Sequence, residues 1–586
     1  MLFRVILETS ESTRSRAKIF GRTLLCLAAV CLIYPPAVLD AGPPSECRDA
    51  DLVLRNGKII TMDAERSIVT SLAVRNGKIL ATGSDAEIAA CSSSRTQQID
   101  LQGQTVLPGL IDVHTHALSW AEGLLQNDVD PGYPKVHSIE EILKQIGERA
   151  VSYPAGRWIR GAGWDESKLS EHRYITRKDL DAVSPNNPVW LEHFTGHMVV
   201  VNSLAMKLAH ISRDTPTPSG GVIDKDDSGE PTGVLKDNAQ GLLLATLPPD
   251  APDLPLRATR VVAEKALATG LTTIHDICLP AAGIRAYQTA HKNGALKLRV
   301  QMAPLVANLD DATALVSGGV YTGFGDDVLK FGAVKMFADG GMAAKTIAVY
   351  EPAEGEPGNL GLLIWKPEDM QKAHHILAAA GWQLETHAIG DRAIDEVLDS
   401  YQSVMKDLGL KEPRFRIVHS GIATPAVQKR MRELHVLVDS NPAFVYWIGA
   451  YFSKYGAQRI RWTYPAKSYF ENGIVAAGTS DVPVTPISPW WGIWAAVERR
   501  ELHSGQAIAP AERITVLEAL EMYTRNPAYI GFEENQKGSL EPGKFADFIV
   551  VDRNVLAVPS EQLRDVQVLK TFVGGELLYQ NAAVRR

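Results

Sequence analysis

Two histidines stand two apart in the stretch IDVHTH, His114 and His116. In an extended strand that spacing puts both imidazoles on one face, and paired imidazoles suit a divalent transition metal. The same spacing also occurs as an ordinary core or surface pair, so alone it decides little. Further along the chain it gains company. His387 closes the apolar run WQLETH, His419 closes RFRIVH, and Asp481 follows IVAAGTS just before Val-Pro. Lys335 lies inside FGAVKMFADGG, a mostly apolar strand where a lysine is costly unless paired or modified. Desolvation lowers the pKa of a lysine and frees a nucleophilic amine. Lys335 could therefore take up carbon dioxide as a carbamate that bridges two metals; the plainer alternative is a salt bridge to Asp339 or another carboxylate at the strand ends.

Such groups act together only if the fold gathers the strand ends. Apolar runs recur through the middle of the chain, most of them ending in a polar or metal-capable residue, with helical patterns such as 367–380 and 392–408 between several of them. Strand, helix, strand with chemistry at the strand ends is how a (β/α)8 TIM-like barrel reads, here over residues 106–535. Residues 117–260 are too long for one connection and are expected to form a lid or substrate-facing insert after the first barrel strand. Both ends of the chain are rich in short strands. DLVLRNGKII and SLAVRNGKIL each run into Asn-Gly, a strong hairpin signal, and VLKTFVGGELLY carries a Gly-Gly turn. A small β-sandwich built from 42–105 and 536–586 around an α/β barrel is the economical fold.

The composition, 45% apolar and 22% charged over 586 residues, provides for a large core and more than one domain. A net charge of −8 argues against nucleic acid as a partner. Residues 1–41 have the basic, apolar and small-residue order of a secretory signal peptide, which predicts export to the periplasm or medium, with an uncleaved anchor as the alternative. No later stretch is long and apolar enough to span a bilayer. Of five cysteines, Cys26 and Cys31 fall in the signal. Cys47 and Cys91 flank one β-rich segment and could pair in an oxidising compartment. Cys278 is left as a small buried hydrophobe rather than a nucleophile.

The flanking text resembles the amidohydrolase superfamily, and within it amidohydrolase family 3. The matching stretches include LPGLIDVHTH, GHMVVVNSLAM, VKMFADGG, THAIGDRAIDEVLD, IVHSG, GTSDVPV and KGSLEPGKFADFIVVD, spread from about residue 50 to the C-terminus. The resemblance implies a TIM-like barrel with a composite β-sandwich and two divalent metal ions, usually zinc. His114 and His116 would hold the more buried ion, Lys335 as its carbamate would bridge, His387 and His419 would hold the second, and Asp481 would contact the first and handle the proton. It also makes His197 a candidate for contacting the substrate carbonyl, against a role holding the lid. The FADGGMAAKT loop departs from the Ser-Leu-Gly-Ser-Arg run of many relatives, which puts substrate preference in doubt.

A metal-bound water ionises near neutral pH and attacks, while Asp481 carries its proton to the leaving nitrogen. His275 and Asp276 end a strand pattern and could orient the ligands from behind. Trp164 and Asp165 are placed beside the pocket, Asn202 in a structural role, and Tyr446, Trp447, Trp490, Trp491 and Trp494 at an aromatic rim suited to a partly apolar substrate. The expected activity is hydrolysis of a non-peptide amide-type bond in a small molecule. Hydrolysis of a peptide, lactone or phosphoester, or non-catalytic binding by an exported protein, stays open, as does a homo-oligomer.

Overall fold

The structure, a computed structural model, describes residues 47–582; the expected signal peptide over 1–41 lies outside them. Strands from the two ends of the chain form two sheets with one common core. One holds Lys78–Gly83, Ser71–Arg75, Leu52–Arg55 and Gln97–Asp100 in that order. The other joins N-terminal Thr105–Pro108 to C-terminal Phe548–Val551, antiparallel with Leu107 opposite Ile549. Leu54, Leu72, Val106, Phe548, Val550 and Phe572 are buried together between them.

Two hairpins form as the sequence indicates. At Asn76-Gly77 both residues take positive φ, 51° and 74°, and Arg75 faces Lys78. At Gly574-Gly575, Val573 faces Glu576. The other Asn-Gly does not turn a hairpin. Leu52–Arg55 pairs with Ser71–Arg75 and Gln97–Asp100, whereas Lys58–Ile60 pairs with Thr105–Pro108 in the other sheet. Asn56 takes φ 54° but serves as a crossing between sheets, its backbone amide held by Asp85 at 3.0 Å. Cys47 and Cys91 are disulfide-bonded beside this fold.

The middle of the chain carries parallel strands, each buried on both faces as parallel sheets require. Leu110–Thr115, Leu271–Leu279, Arg299–Pro304 and Leu329–Phe331 form one sheet in neighbour order. Val334–Phe337, Leu384–Ala388, Arg416–His419, Leu437–Ser440 and Ala476–Gly478 form the second. Gly332 and Ala333 separate Leu329–Phe331 from Val334–Phe337, and a bridge between Leu305 and Lys335 spans the junction. The expected eight-stranded ring is not closed by ladder hydrogen bonds. Between Ala476–Gly478 and Leu110–Thr115 no ladder forms. The last strand is short, and past it the Thr479 hydroxyl and the Asp481 amide, the latter at 3.1 Å, donate to the His114 carbonyl instead.

Helices cover these sheets, including Pro367–Ala379 and Asp391–Leu408. The second buries Ile394, Val397, Leu398, Tyr401, Val404 and Met405, the three-four spacing of an amphipathic helix, and stops at Gly409 with φ 67°. Residues 117–260 contain a five-stranded sheet of their own. Its core, with Ile159, Leu191 and Val200, extends onto Met342, Ile347, Ile389 and Ile422, so the insert packs on segments that follow the strands of Lys335, His387 and His419.

Arg499 is fully buried and donates to the carbonyls of Ile508, Tyr464 and Thr463 at 2.8–2.9 Å. Burial pushes its pKa down to about 10. Arg499→Met keeps most of the stem but takes the donor from the buried carbonyls of Ile508 and Thr463 and leaves that of Tyr464 only the Ala466 amide. We expect it to cost about 3–5 kcal/mol by denaturant unfolding; a loss below about 1 kcal/mol would mean other donors replace it.

Candidate metal centre

The candidate ligands other than Lys335 lie at or just past the carboxyl ends of parallel strands. His114 lies near the end of Leu110–Thr115 and His116 follows it. Lys335 sits in Val334–Phe337, His387 in Leu384–Ala388, and His419 closes Arg416–His419. Asp481 follows Ala476–Gly478 by three residues. The fold brings all six together. Asp481 Oδ1 lies 3.4 Å from Nε2 of both His114 and His116, and Lys335 Nζ is 3.4 Å from His114 Nε2. The rings of His387 and His419 are 4.6 Å apart, and those of His114 and His419 5.3 Å. His419 and Asp481 have φ of 69° and 53°, conformations that cost of order 1–3 kcal/mol each and cluster at functional sites.

The donor chemistry fits divalent transition metals. One ligand atom each of His114, His116 and Asp481 fall within 4.8 Å of one another. Burial, reinforced by the Lys335 charge, pushes His116 down to about 3 and holds His114 and His419 well below the usual histidine range. Burial does the same to His387, aided by its histidine neighbours. Neutral imidazoles with free lone pairs result. Burial also drives the Asp481 carboxyl far above its normal range, and its Oδ1 has no hydrogen-bond partner among the described residues; a cation is what would satisfy it. His387 is buried with neither ring nitrogen hydrogen-bonded among the described residues, although Nδ1 lies 3.1 Å from Asp339 Oδ1.

Lys335 has no carboxylate within salt-bridge distance among the described residues. The expected alternative pairing with Asp339 does not form. Asp339 instead accepts from the amides of Ala348, Ile389 and Gly390 at 2.9–3.0 Å, locking the loop after the lysine strand to the loop after His387.

His197 projects from the insert onto the centre, its ring 5.2 Å from that of His387. Asp237 Oδ1 holds its Nδ1 at 2.8 Å, which aims Nε2 away from the insert. Gly341, in the divergent FADGGMAAKT loop, packs against that ring; a Cβ there would lie 2.8 Å from His197 Cδ2. Gly341→Ala should therefore displace His197 without touching the strand-end ligands. We expect kcat/KM to fall up to about a hundredfold at unchanged metal content, with lost metal instead pointing to wider collapse.

Asp276 accepts from the amides of Ala117 and Leu118 at 2.8 and 3.1 Å and from Tyr287 Oη. It caps the helix that begins beside His116, and burial lifts its pKa to about 7. His275 lies deeper, against Arg416 at 3.3 Å. Trp164 is enclosed in the insert core, its Nε1 donating to Leu191 O. Asp165 pairs with Lys168 at 2.9 Å and accepts from Tyr451 Oη at 2.8 Å. Asn202 is buried and caps the helix Ser203–Leu208. Phe444 stacks on His419, and Tyr446 on Trp491, while Trp490 and Trp494 are buried in the core. Cys278 is half-buried and unpaired, and burial pushes its thiol up to about 12, too high for a nucleophile at neutral pH.

A family model described as the amidohydrolase family matches residues 97–579. The chain belongs to the amidohydrolase family. As such it is a metal-dependent hydrolase acting on carbon–nitrogen bonds. Among relatives of this amidohydrolase, YtcJ of Bacillus subtilis, named as an amidohydrolase, is 30% identical over 84% of this chain and 92% of its own length. The N-substituted formamide deformylase of Arthrobacter pascens is 30% identical over 90% of this chain and 98% of its own. A metal-dependent hydrolase from Pyrococcus furiosus has a solved structure that is 26% identical and covers 86% of this chain and 99% of its own, with a TM-score of 0.67.

Sequence reasoning passed over Asp237, Glu385, Arg416 and Asn441. The last accepts from His419 Nδ1 at 2.8 Å through its Oδ1. Two of them left a signal: Glu385 and Arg416 are charges inside apolar strand runs, two and three residues before a histidine ligand.

Proposed function

We propose that this amidohydrolase is an exported two-zinc enzyme that hydrolyses the amide-type bond of a small, non-peptide N-acyl or N-formyl amine. The observation that carries the reading is the convergence of four imidazoles, one buried carboxylate whose Oδ1 has no hydrogen-bond partner and one buried lysine without a counter-ion among the described residues. His114, His116 and Asp481 would hold one ion, His387 and His419 the other, and Lys335 as its carbamate would bridge. Bound there, the ions would lower the pKa of water and polarise the scissile carbonyl. Asp481 takes the proton from the attacking water and delivers it to the leaving nitrogen, which must be protonated to depart. His197, steadied by Asp237, donates to the carbonyl oxygen. Tyr446 and Trp447, in the short helix Phe444–Trp447, and Trp491, in the helix Pro489–Glu498, favour an apolar or aromatic substituent.

The two parallel sheets are read as one (β/α)8 barrel, with Leu329–Phe331 and Val334–Phe337 as a single interrupted strand. The Cys47–Cys91 disulfide supports export, since such bonds persist in oxidising compartments. The formamide deformylase relative supports the substrate class. The test is elemental analysis of the full chain together with a screen of N-formyl and N-acyl amines, dipeptides, lactones and phosphoesters. About two equivalents of zinc and turnover confined to the amides support the proposal. Absence of metal after reconstitution, or preferred turnover of another bond class, overturns it.

A further inference from the structure

The interior behind the ligands is charged where parallel sheets are ordinarily apolar. Lys335 faces Glu385 across one strand pair, and Glu385 faces Arg416 across the next. Glu385 and Arg416 are both fully buried. Glu385 Oε1 lies 2.8 Å from His114 Nδ1, while Oε2 accepts from Arg416 Nη2. Arg416 Nη1 reaches His275 Nδ1 at 3.3 Å and Asp439 Oδ2 at 3.4 Å. Desolvating such a pair generally costs as much as its attraction returns, and apolar residues of the same volume would fill the space at least as stably. Stability alone therefore does not account for Glu385 and Arg416.

Their geometry relative to His114 does. A carboxylate on Nδ1 makes that nitrogen the proton-bearing one and leaves the Nε2 lone pair facing Asp481 and Lys335. It also makes the imidazole a stronger base. Arg416 in turn fixes the rotamer of Glu385 through its second oxygen, so the carboxylate cannot swing toward the ligand cluster and compete with Asp481.

We propose that Glu385, locked by Arg416, is the positioning residue that sets the tautomer and donor strength of His114. This rests on the metal-centre reading above. Neither residue touches the reacting atoms, so the test reads metal affinity and an imidazole signature rather than turnover. Zinc affinity is measured on the full chain by chelator competition, with the downfield imidazole N–H proton resonances recorded alongside. The variants are Glu385→Gln, which keeps the volume, and Glu385→Gln/Arg416→Met/Asp439→Asn, which removes the three charges of this buried set together should the single variant fail to fold.

Both variants should bind zinc about 10–100-fold more weakly and lose the resonance that His114→Ala also removes, with the metal-free melting temperature of the triple variant unchanged or higher. Affinity within about twofold of the unsubstituted chain in whichever variants fold, or a retained resonance, overturns the proposal and leaves the metal-centre reading intact. Failure of the unsubstituted chain to take up zinc overturns both.

Discussion

Asp481→Asn should retain its metal yet lose turnover by about 10²–10⁴-fold. The substitution is nearly isosteric, and asparagine tolerates the left-handed backbone at φ 53° as well as aspartate does. The carbonyl oxygen of the amide can still occupy the place of Oδ1, 3.4 Å from the two imidazole nitrogens. What the amide cannot do is accept and return a proton. The four histidines and Lys335 are untouched, so the ions should stay. Steady-state kinetics on a hydrolysed N-formyl amine, paired with elemental analysis of the same preparation, reads both quantities. Activity within tenfold of the unsubstituted enzyme would take the proton away from Asp481. Loss of metal with activity would make it chiefly a ligand.

Lys335→Met should release metal, and more severely than loss of a residue behind the ligands, for which about 10–100-fold in affinity is typical. The lysine is fully buried, 3.4 Å from His114 Nε2 and 4.6 Å from the Phe337 ring centre. Burial lowers its pKa, opposed most by Glu385, yet no carboxylate lies within salt-bridge distance among the described residues. An ammonium there would repel a divalent ion held by His114. A carbamate would attract it, and carboxylation is favoured by an amine that burial keeps deprotonated. Methionine preserves length and apolar packing, so folding should survive. Metal content should drop from about two equivalents to one or fewer, and the unsubstituted enzyme should incorporate carbon-13 from labelled bicarbonate. Equal or tighter metal binding by Lys335→Met, without isotope incorporation in the parent, would show that the residue is a plain cation.

The cluster of candidate ligands was legible in the sequence because its signals are local. A histidine or aspartate closing an apolar run is exceptional within its own few residues, and His114, His116, His387, His419 and Asp481 each stand that way. Period-two alternation with a two-residue turn likewise revealed the hairpin at Asn76-Gly77. The same signal misled at Asn56-Gly57, because the identity of a strand's partner is not encoded within the turn. There the flanking strands find better partners in two different sheets.

Tertiary structure alone decided how the charges pair. Asp339 could have met Lys335, four residues away, but the fold turns it to three backbone amides. Asp237 reaches His197 across 40 residues, and Glu385 reaches His114 across 271. Residue type and spacing fix which side chains leave water; desolvation then demands a partner for each buried charge, and only the register between distant strands determines which partner that is.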